Sequence, residues 1–246
     1  NSFRHEPTPA DDQYRLFVTP NGDLLYSQAC LDLSQEPVIL HVPETQGMRY
    51  WTAQVTDGYT ETVANISKRS VANGPGDYAL VGPGWKGTLH KGVTAVPVDT
   101  NSGFILVRTF FEDQDDLAQR TRVVQQQFSL KPLSVFVGKK DWKAPELPAD
   151  DPRRKVPVEQ QELSTSLEFF RVLNQAMAAA GPRPGEEALW AQLRRIGIGP
   201  GLEFDPEKLD TATREALQRA ITDGWQLVQD RSATARTKLV NGWGVP

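Results

Sequence analysis

The chain has 246 residues, a formal net charge of −4 and 39% hydrophobic residues, a balance typical of one large or two small folded domains. The mild acidity and mixed charges exclude the basic footprint of a nucleic-acid-binding protein, and no apolar run is long enough for a transmembrane segment. The single cysteine, Cys30, excludes an intrachain disulfide, and its place within a strand pattern predicts a buried, unreactive thiol.

Short strand patterns separated by turns fill the first part of the chain. An extended lead-in over residues 1–19 and a turn at 20–23 precede an alternating run over 24–33. The further predicted strands lie at 37–43, 48–55, 77–81, 93–98 and 104–110, with a weaker one at 60–66. Regularly spaced short strands predict a mainly β fold, an antiparallel β sandwich or barrel.

Helical patterns follow this β-rich part. Residues 112–127 predict a helix with Leu117, Val124 and Phe128 buried, and residues 129–137 are expected to return to the sheet. We therefore place a β-rich domain at 1–138, a Pro-rich linker at 139–157 and a helical segment at 158–246.

The helical segment predicts about three α-helices. Apolar residues recur at helical spacing around Leu167, Leu193 and Ile221. The pair Asp205 and Pro206 predicts the start of the last long helix, because Asp is a good N-cap and Pro fits the first turn.

Arg108 is the most informative charged residue, because it shares a strand face with the apolar Phe104, Leu106 and Phe110. An arginine on an apolar face either pairs with a carboxylate or binds a ligand. The candidate carboxylates are those of Asp23, Asp32 and Asp57. As a ligand site, Arg108 would anchor an anionic or sugar-like molecule between the aromatic walls Tyr26, Trp51 and Trp85.

Motifs for other chemistry are weak. His5, His41 and His90 lack the spacing of a zinc site, although oxygen ligands from Asp23, Asp32 and Asp57 leave a hard-cation site open. The glycine-rich runs at 82–87 and 197–201 are predicted to be turns because neither has the features of a phosphate loop. No serine elbow is present, and a triad assembled from distant segments stays open. We expect no cofactor and no bound metal.

Several short motifs, in order, resemble one bacterial family. They include Pro20, Asn21 and Asp23, then Tyr26 and Ser27, then Arg49 and Tyr50, then Gly76, Asp77 and Tyr78, and finally Gly82, Pro83, Gly84 and Trp85. Over residues 1–137 the pattern resembles the domain of unknown function 1254. The sequence departs from the family pattern in three places. Leu24 replaces a threonine, only Arg69 and a hydroxyl remain of a family loop motif, and Asp99 and Thr100 replace a Pro-Thr pair before the last strands.

This resemblance implies a compartment and a partner domain, but no reaction. Family members continue into a second β-rich, jelly-roll domain, numbered 1214, which is missing from this chain, so the sequence resembles a fragment. Many members are secreted or belong to the cell envelope, which implies a periplasmic or secreted location. Apolar surface left by a missing domain predicts self-association as a homo-oligomer or marginal solubility.

Two functions remain open on these residues. The first is a binding or scaffold module of the cell envelope, and the alternative is a hydrolase acting on a small polar or carbohydrate-like substrate. An open pocket formed by the candidate residues would favour a ligand site, and buried pairs would favour a scaffold. The candidate pocket residues are Asp23, Tyr26, Gln54, Asp57, Arg69, Trp85 and Arg108.

Overall fold

The computed structural model describes residues 1–11, 21–45, 47–70, 74–138, 163–180, 185–234, 238–240 and 243–245. It divides into two compact units, Asn1–Ala144 and Pro145–Pro246, which we call the β unit and the helical unit. The linker predicted at 139–157 lies outside the described residues. The boundaries predicted for it remain a prediction.

Nine strands lie in the described part of the β unit. They are β1 (Arg4–His5), β2 (Leu24–Asp32), β3 (Val38–Val42), β4 (Trp51–Asp57), β5 (Thr62–Ser67), β6 (Gly76–Val81), β7 (Val93–Pro97), β8 (Ser102–Phe110) and β9 (Ser129–Pro132). One sheet has the order β1-β2-β8-β4-β5, and all its neighbours are antiparallel. The second has the order β7-β6-β3-β9, in which only β6 and β7 run parallel among the described strands.

The two sheets pack face to face and enclose the main core of the unit. Period-two alternation sends one set of side chains from each strand inward, as the sequence of β8 predicts for Ile105 and Val107, both fully buried. Opposite them, β3 and β6 contribute Leu40 and Leu80 to the same cluster. The fold is therefore a mainly antiparallel sandwich and not a closed barrel, because the described strands form separate ladders.

Cys30 corrects one expectation from the sequence. In β2, Leu25, Ser27, Ala29 and Leu31 are buried, whereas Cys30 is exposed. Cys30 lies opposite Phe104 of β8 on the outward face of the five-stranded sheet. The general preference of free cysteine for burial failed here because strand alternation decided the orientation.

A helical connection leads from β8 to β9 along the core. It consists of α1 (Gln114–Asp116), a π-helical turn (Leu117–Thr121) and α2 (Arg122–Gln127). The predicted stripe is confirmed, since Leu117, Val124 and Phe128 are all buried. The buried Gln125 anchors α2 to the sheet edge, because its Nε2 donates to the carbonyl oxygens of Glu6 and Tyr26. A short helix, α3 (Leu133–Phe136), follows β9.

The helical unit contains α4 (Glu168–Ala180), α5 (Glu187–Leu193) and α6 (Thr211–Thr234). Its core is a separate cluster formed by Phe170, Met177, Trp190, Ile198, Phe204, Leu217 and Ile221. The predicted start of the last helix was wrong. Asp205 caps only the short 3-10 turn Pro206–Lys208, whereas Asp210 accepts the backbone N–H of Thr213 at the start of α6.

Asn174 of α4 fixes the glycine-rich turn that follows α5. Its Nδ2 donates to the carbonyl oxygens of Gly197 and Leu202, and its Oδ1 accepts the N–H of Gly199. Gly197 has φ of 79° and Gly201 has φ of 69°, a region that favours glycine. The three hydrogen bonds hold the glycine-rich segment in a turn, so the role of its glycines is structural.

The chain ends in a small hairpin of β10 (Lys238–Val240) and β11 (Trp243–Val245), which pair antiparallel. Within the residues that the structure describes, no helix combines the length and hydrophobicity required to cross a membrane.

Candidate functional site

The outward face of the five-stranded sheet brings Arg108 and Gln54 together. Arg108 of β8 lies opposite Thr52 of β4, and Gln54 follows on the same face two residues along β4. The Nη1 of Arg108 donates to Oε1 of Gln54 at 2.9 Å, and Nε2 of Gln54 donates to Oγ1 of Thr62 at 2.9 Å. These two hydrogen bonds orient the guanidinium of Arg108. They leave its charge uncompensated, because the amide of Gln54 is neutral.

Two further arginines lie on aromatic rings at one end of the same face. The guanidinium of Arg49 lies 5.9 Å from the ring centre of Phe110, and that of Arg69 lies 5.7 Å from the ring centre of Tyr50. The N–H of Phe110 donates to the carbonyl of Tyr50 at 3.1 Å, so the two residues are neighbours across β8 and the chain entering β4. Cation–π contacts of this kind orient a guanidinium without neutralising it.

We call this set of six residues the arginine face: Arg49, Tyr50, Gln54, Arg69, Arg108 and Phe110. Arg108 is two residues from Phe110, about 7 Å along the strand. Several other arginines do have carboxylate partners, as Arg4 has Glu6 and Arg120 has Asp116. In the described parts of the chain, none of the three arginines on the face forms an ion pair with a carboxylate.

The expected carboxylate partner of Arg108 was wrong. Asp57 lies opposite Gly103, five positions from the pair Thr52 and Arg108, or about 16 Å along the strand. Its Oδ1 accepts the N–H groups of Tyr59 and Glu61, so it closes the turn after β4.

The other two expected carboxylates serve turns as well. Asp32 accepts the hydroxyl and the N–H of Ser34, and Asp23 lies exposed in the turn before β2. The strand of Arg108 is apolar on both faces, and sequence alone did not show that the arginine side is half-exposed. Because Arg108 is only half-buried, its guanidinium is not fully desolvated and does not require a carboxylate partner.

The remaining predicted pocket residues lie in different parts of the β unit. Tyr26 lies opposite Arg108 in β2 but is buried, and its hydroxyl accepts the N–H of Asn21 at 2.9 Å. Trp85 packs with Ile39 and Leu133 on the outside of the other sheet. The face therefore gathers Gln54, Arg69 and Arg108 of the seven predicted residues. The buried Tyr26 lies next to Arg108 on the same side of the sheet. Trp51 is a core residue whose ring is tilted against that of Phe128, with ring centres 6.1 Å apart.

Sequence reasoning missed Arg49, Tyr50 and Phe110 as site residues. The signal was present, because Arg49 and Tyr50 belong to the motif pattern and Phe110 shares the face of Arg108 by alternation. What the sequence did not provide was the pairing of β8 with β4, which places Phe110 beside Tyr50.

A polar cavity of about 390 Å³ lies at the edge of the same sheet, between the first strand and α2. Its lining residues are His5, Glu6, Pro7, Thr8, Arg122, Gln125 and Gln126. His5 Nδ1 lies 2.8 Å from Oγ of Ser27, and burial lowers the pKa of the imidazole. Ser27 is fully buried, so its hydroxyl cannot meet a substrate.

A second histidine contact is similar to part of a triad. His41 Nδ1 lies 2.8 Å from Oδ1 of Asp77, and Ser129 is opposite His41 in the neighbouring strand. Among the hydrogen bonds of the described residues, none joins Ser129 to His41. Neither pair therefore completes a nucleophile, base and orienting carboxylate. No group of three metal-ligating side chains occurs in the described residues.

The fold and this face define a mainly antiparallel β-sandwich protein with a separate helical unit. The model of the family described as "Protein of unknown function (DUF1254)" matches residues 1–132, more than half of the chain, and the chain belongs to this family. The resemblance drawn from the sequence motifs is thereby confirmed. No curated protein matches the chain.

One solved structure supports the fold. The crystal structure of the VPA0106 protein from Vibrio parahaemolyticus is 23% identical and has a TM-score of 0.68. The similarity covers 90% of this chain and 52% of the Vibrio chain, so this chain spans about half the length of that relative. A protein from Burkholderia cenocepacia described as uncharacterized is 16% identical over 61% of this chain and 37% of its own, with a TM-score of 0.38.

Proposed function

We propose that the β unit is a binding module that recognises a small anionic ligand through the arginine face. The observation that carries this proposal is the group Arg49, Arg69 and Arg108, three cations without a carboxylate partner among the described residues. The local charge is opposite in sign to the net charge of −4 of the whole chain.

The three arginine side chains are held in fixed orientations, which favours a binding site over surface charges that only keep the protein soluble. Arg108 is held by Gln54, and Arg49 and Arg69 rest on rings, so part of the rotamer entropy is lost before a ligand arrives. A planar guanidinium binds carboxylate, phosphate or sulfate through two parallel hydrogen bonds. Tyr50 and Phe110 add apolar surface beside the charges. The ligand class is therefore an organic oxyanion, including acidic sugars.

The proposed setting is the bacterial periplasm or the outside of the cell. It rests on the family, to which the chain belongs, and on the envelope or secreted location that the motif resemblance implies. Fractionation of a bacterium that makes the full-length protein tests this part, and recovery only from the cytoplasm would contradict it.

Calorimetric titration of the chain with citrate, glucuronate, phosphate and sulfate tests the binding proposal. We expect at least one of these anions to bind, with an affinity that decreases as NaCl increases. Replacement of Arg108 by Met should weaken that binding about tenfold or more, because a charge-assisted hydrogen bond contributes roughly 1.5–3 kcal/mol.

Arg122 provides the matched control, since it lies in the same unit but lines the polar cavity. Arg122→Met should leave anion binding unchanged. The proposal is wrong if none of the anions binds, or if Arg122→Met and not Arg108→Met abolishes binding. A hydrolase stays a prediction from the sequence that no contact among the described residues favours, because Ser27 is buried and Ser129 has no bond to His41.

A further inference from the structure

The helical unit contains an apolar cavity that the arginine face does not involve. Its volume is about 450 Å³, and it is half-open to solvent. Ligand pockets in proteins typically measure about 300–1,000 Å³. The lining comes from helices α4 and α6 and consists of Phe169, Phe170, Ala220, Ile221, Gly224, Trp225 and Val228.

No contact among the described residues requires glycine at position 224. It lies inside α6, where glycine weakens a helix relative to alanine, and its φ is not in the left-handed region. A Cβ built on Gly224 would meet no atom within 4 Å, so close packing does not require its absence. The missing side chain leaves space in the cavity, and an occupant of that space would account for it.

The lining determines the chemistry of this occupant. Every lining residue is apolar, so a polar group inserted there would lose its hydrogen bonds to water without replacement. A hydrocarbon chain loses none, and the open side allows a charged headgroup to stay in water. We propose that this cavity binds the hydrocarbon chain of a single-chain amphiphile such as a fatty acid.

Titration calorimetry with octanoate, decanoate and dodecanoate, each below its micelle concentration, tests the proposal on the full chain. Burial of each further CH₂ should tighten binding about fourfold until the cavity is full. Decyltrimethylammonium should bind within about threefold of the single-chain anion nearest in length, because the headgroup remains outside. Affinity that is independent of chain length would overturn the proposal, as would binding of the anions alone, which would place them on the arginine face.

In the variant Gly224→Leu, the new leucine side chain should occupy the cavity that Gly224 lines. We expect dodecanoate to bind at least tenfold more weakly, with no decrease in Tm because leucine is a better helix former than glycine. Ala220→Leu fills it from one turn away and should act in the same way. Thr222→Leu, on an exposed part of the same helix, is the matched control and should bind as the unaltered chain does.

Unchanged binding by both filling variants would overturn the proposal. The alternative occupant is a second copy of this chain, in keeping with the exposed Leu227, which precedes the lining residue Val228 in the sequence. Light scattering without ligand decides this point. A dimer that Gly224→Leu converts to a monomer would show that protein, and not a hydrocarbon chain, fills the space.

Discussion

Arg108 keeps a neutral partner, and this changes what its removal should do. A buried ion pair broken on one side typically costs about 3–5 kcal/mol, because a charge is left unpaired. Here the partner is the amide of Gln54 on a half-exposed face. We expect Arg108→Met to lower the free energy of unfolding by only about 0.5–1.5 kcal/mol. Urea denaturation measures this, and a loss of 3 kcal/mol or more would reveal a carboxylate partner.

Cys30 should react as a surface thiol, since its side chain is exposed on the outward face of β2. An aromatic disulfide reagent should label the folded chain stoichiometrically, at a rate that subdenaturing urea does not change. The variant Cys30→Ser is the control and should take up no label. Slow labelling that accelerates only on unfolding would place the thiol in the interior.

His5 should make the β unit less stable in mild acid. Burial lowers the pKa of its imidazole below the ordinary value of about 6.5. The unfolded chain then binds the proton more tightly, and the free energy of unfolding decreases as the pH falls from about 6.5 through the lowered pKa.

The stability of His5→Gln should depend less on pH than that of the unaltered chain across this window. Urea midpoints between pH 7.5 and pH 5 provide the test. The exposed His90 serves as the control site, and its replacement by Gln should leave the pH dependence in place. If the urea midpoints of His5→Gln and of the unaltered chain changed equally with pH, His5 would not be the source of the pH dependence.

At the scale of elements, Asn174 joins α4 to the glycine turn after α5. Its amide makes three hydrogen bonds to backbone groups, and the residue is 1% exposed. Asn174→Ala leaves those groups without partners and should destabilise the helical unit by about 2–4 kcal/mol. Denaturation followed by tryptophan fluorescence measures the loss. The exposed Asn65→Ala is the control, and an equally small effect of both variants would contradict this account.

Patterns of alternation predicted most elements of the β unit, because its strands are half-buried and change face with each residue. Helical spacing likewise predicted the buried stripe of Leu117, Val124 and Phe128, because these residues share one face of a half-buried helix. The start of α6 was missed because Asp205 and Asp210 are both good caps, and the local signal did not choose between them.

At the scale of the whole molecule, pairing of distant strands decided what the sequence left open. The choice between sandwich and barrel depends on which strands share a ladder, and sequence periodicity carries no such information. The same pairing put Tyr50 beside Phe110 and separated Asp57 from Arg108. The arginine face is therefore a product of topology, whereas the faces of its single strands follow from sequence.

The central claim is that the arginine face binds an anion, and the location of a heavy oxyanion tests it most directly. We expect anomalous diffraction from crystals of the chain soaked in selenate to place selenium within hydrogen-bonding distance of the Arg108 guanidinium, and the same soak of Arg108→Met to leave that position empty. Selenate found only beside Arg122 in the polar cavity, or absent from the arginine face, would contradict the account.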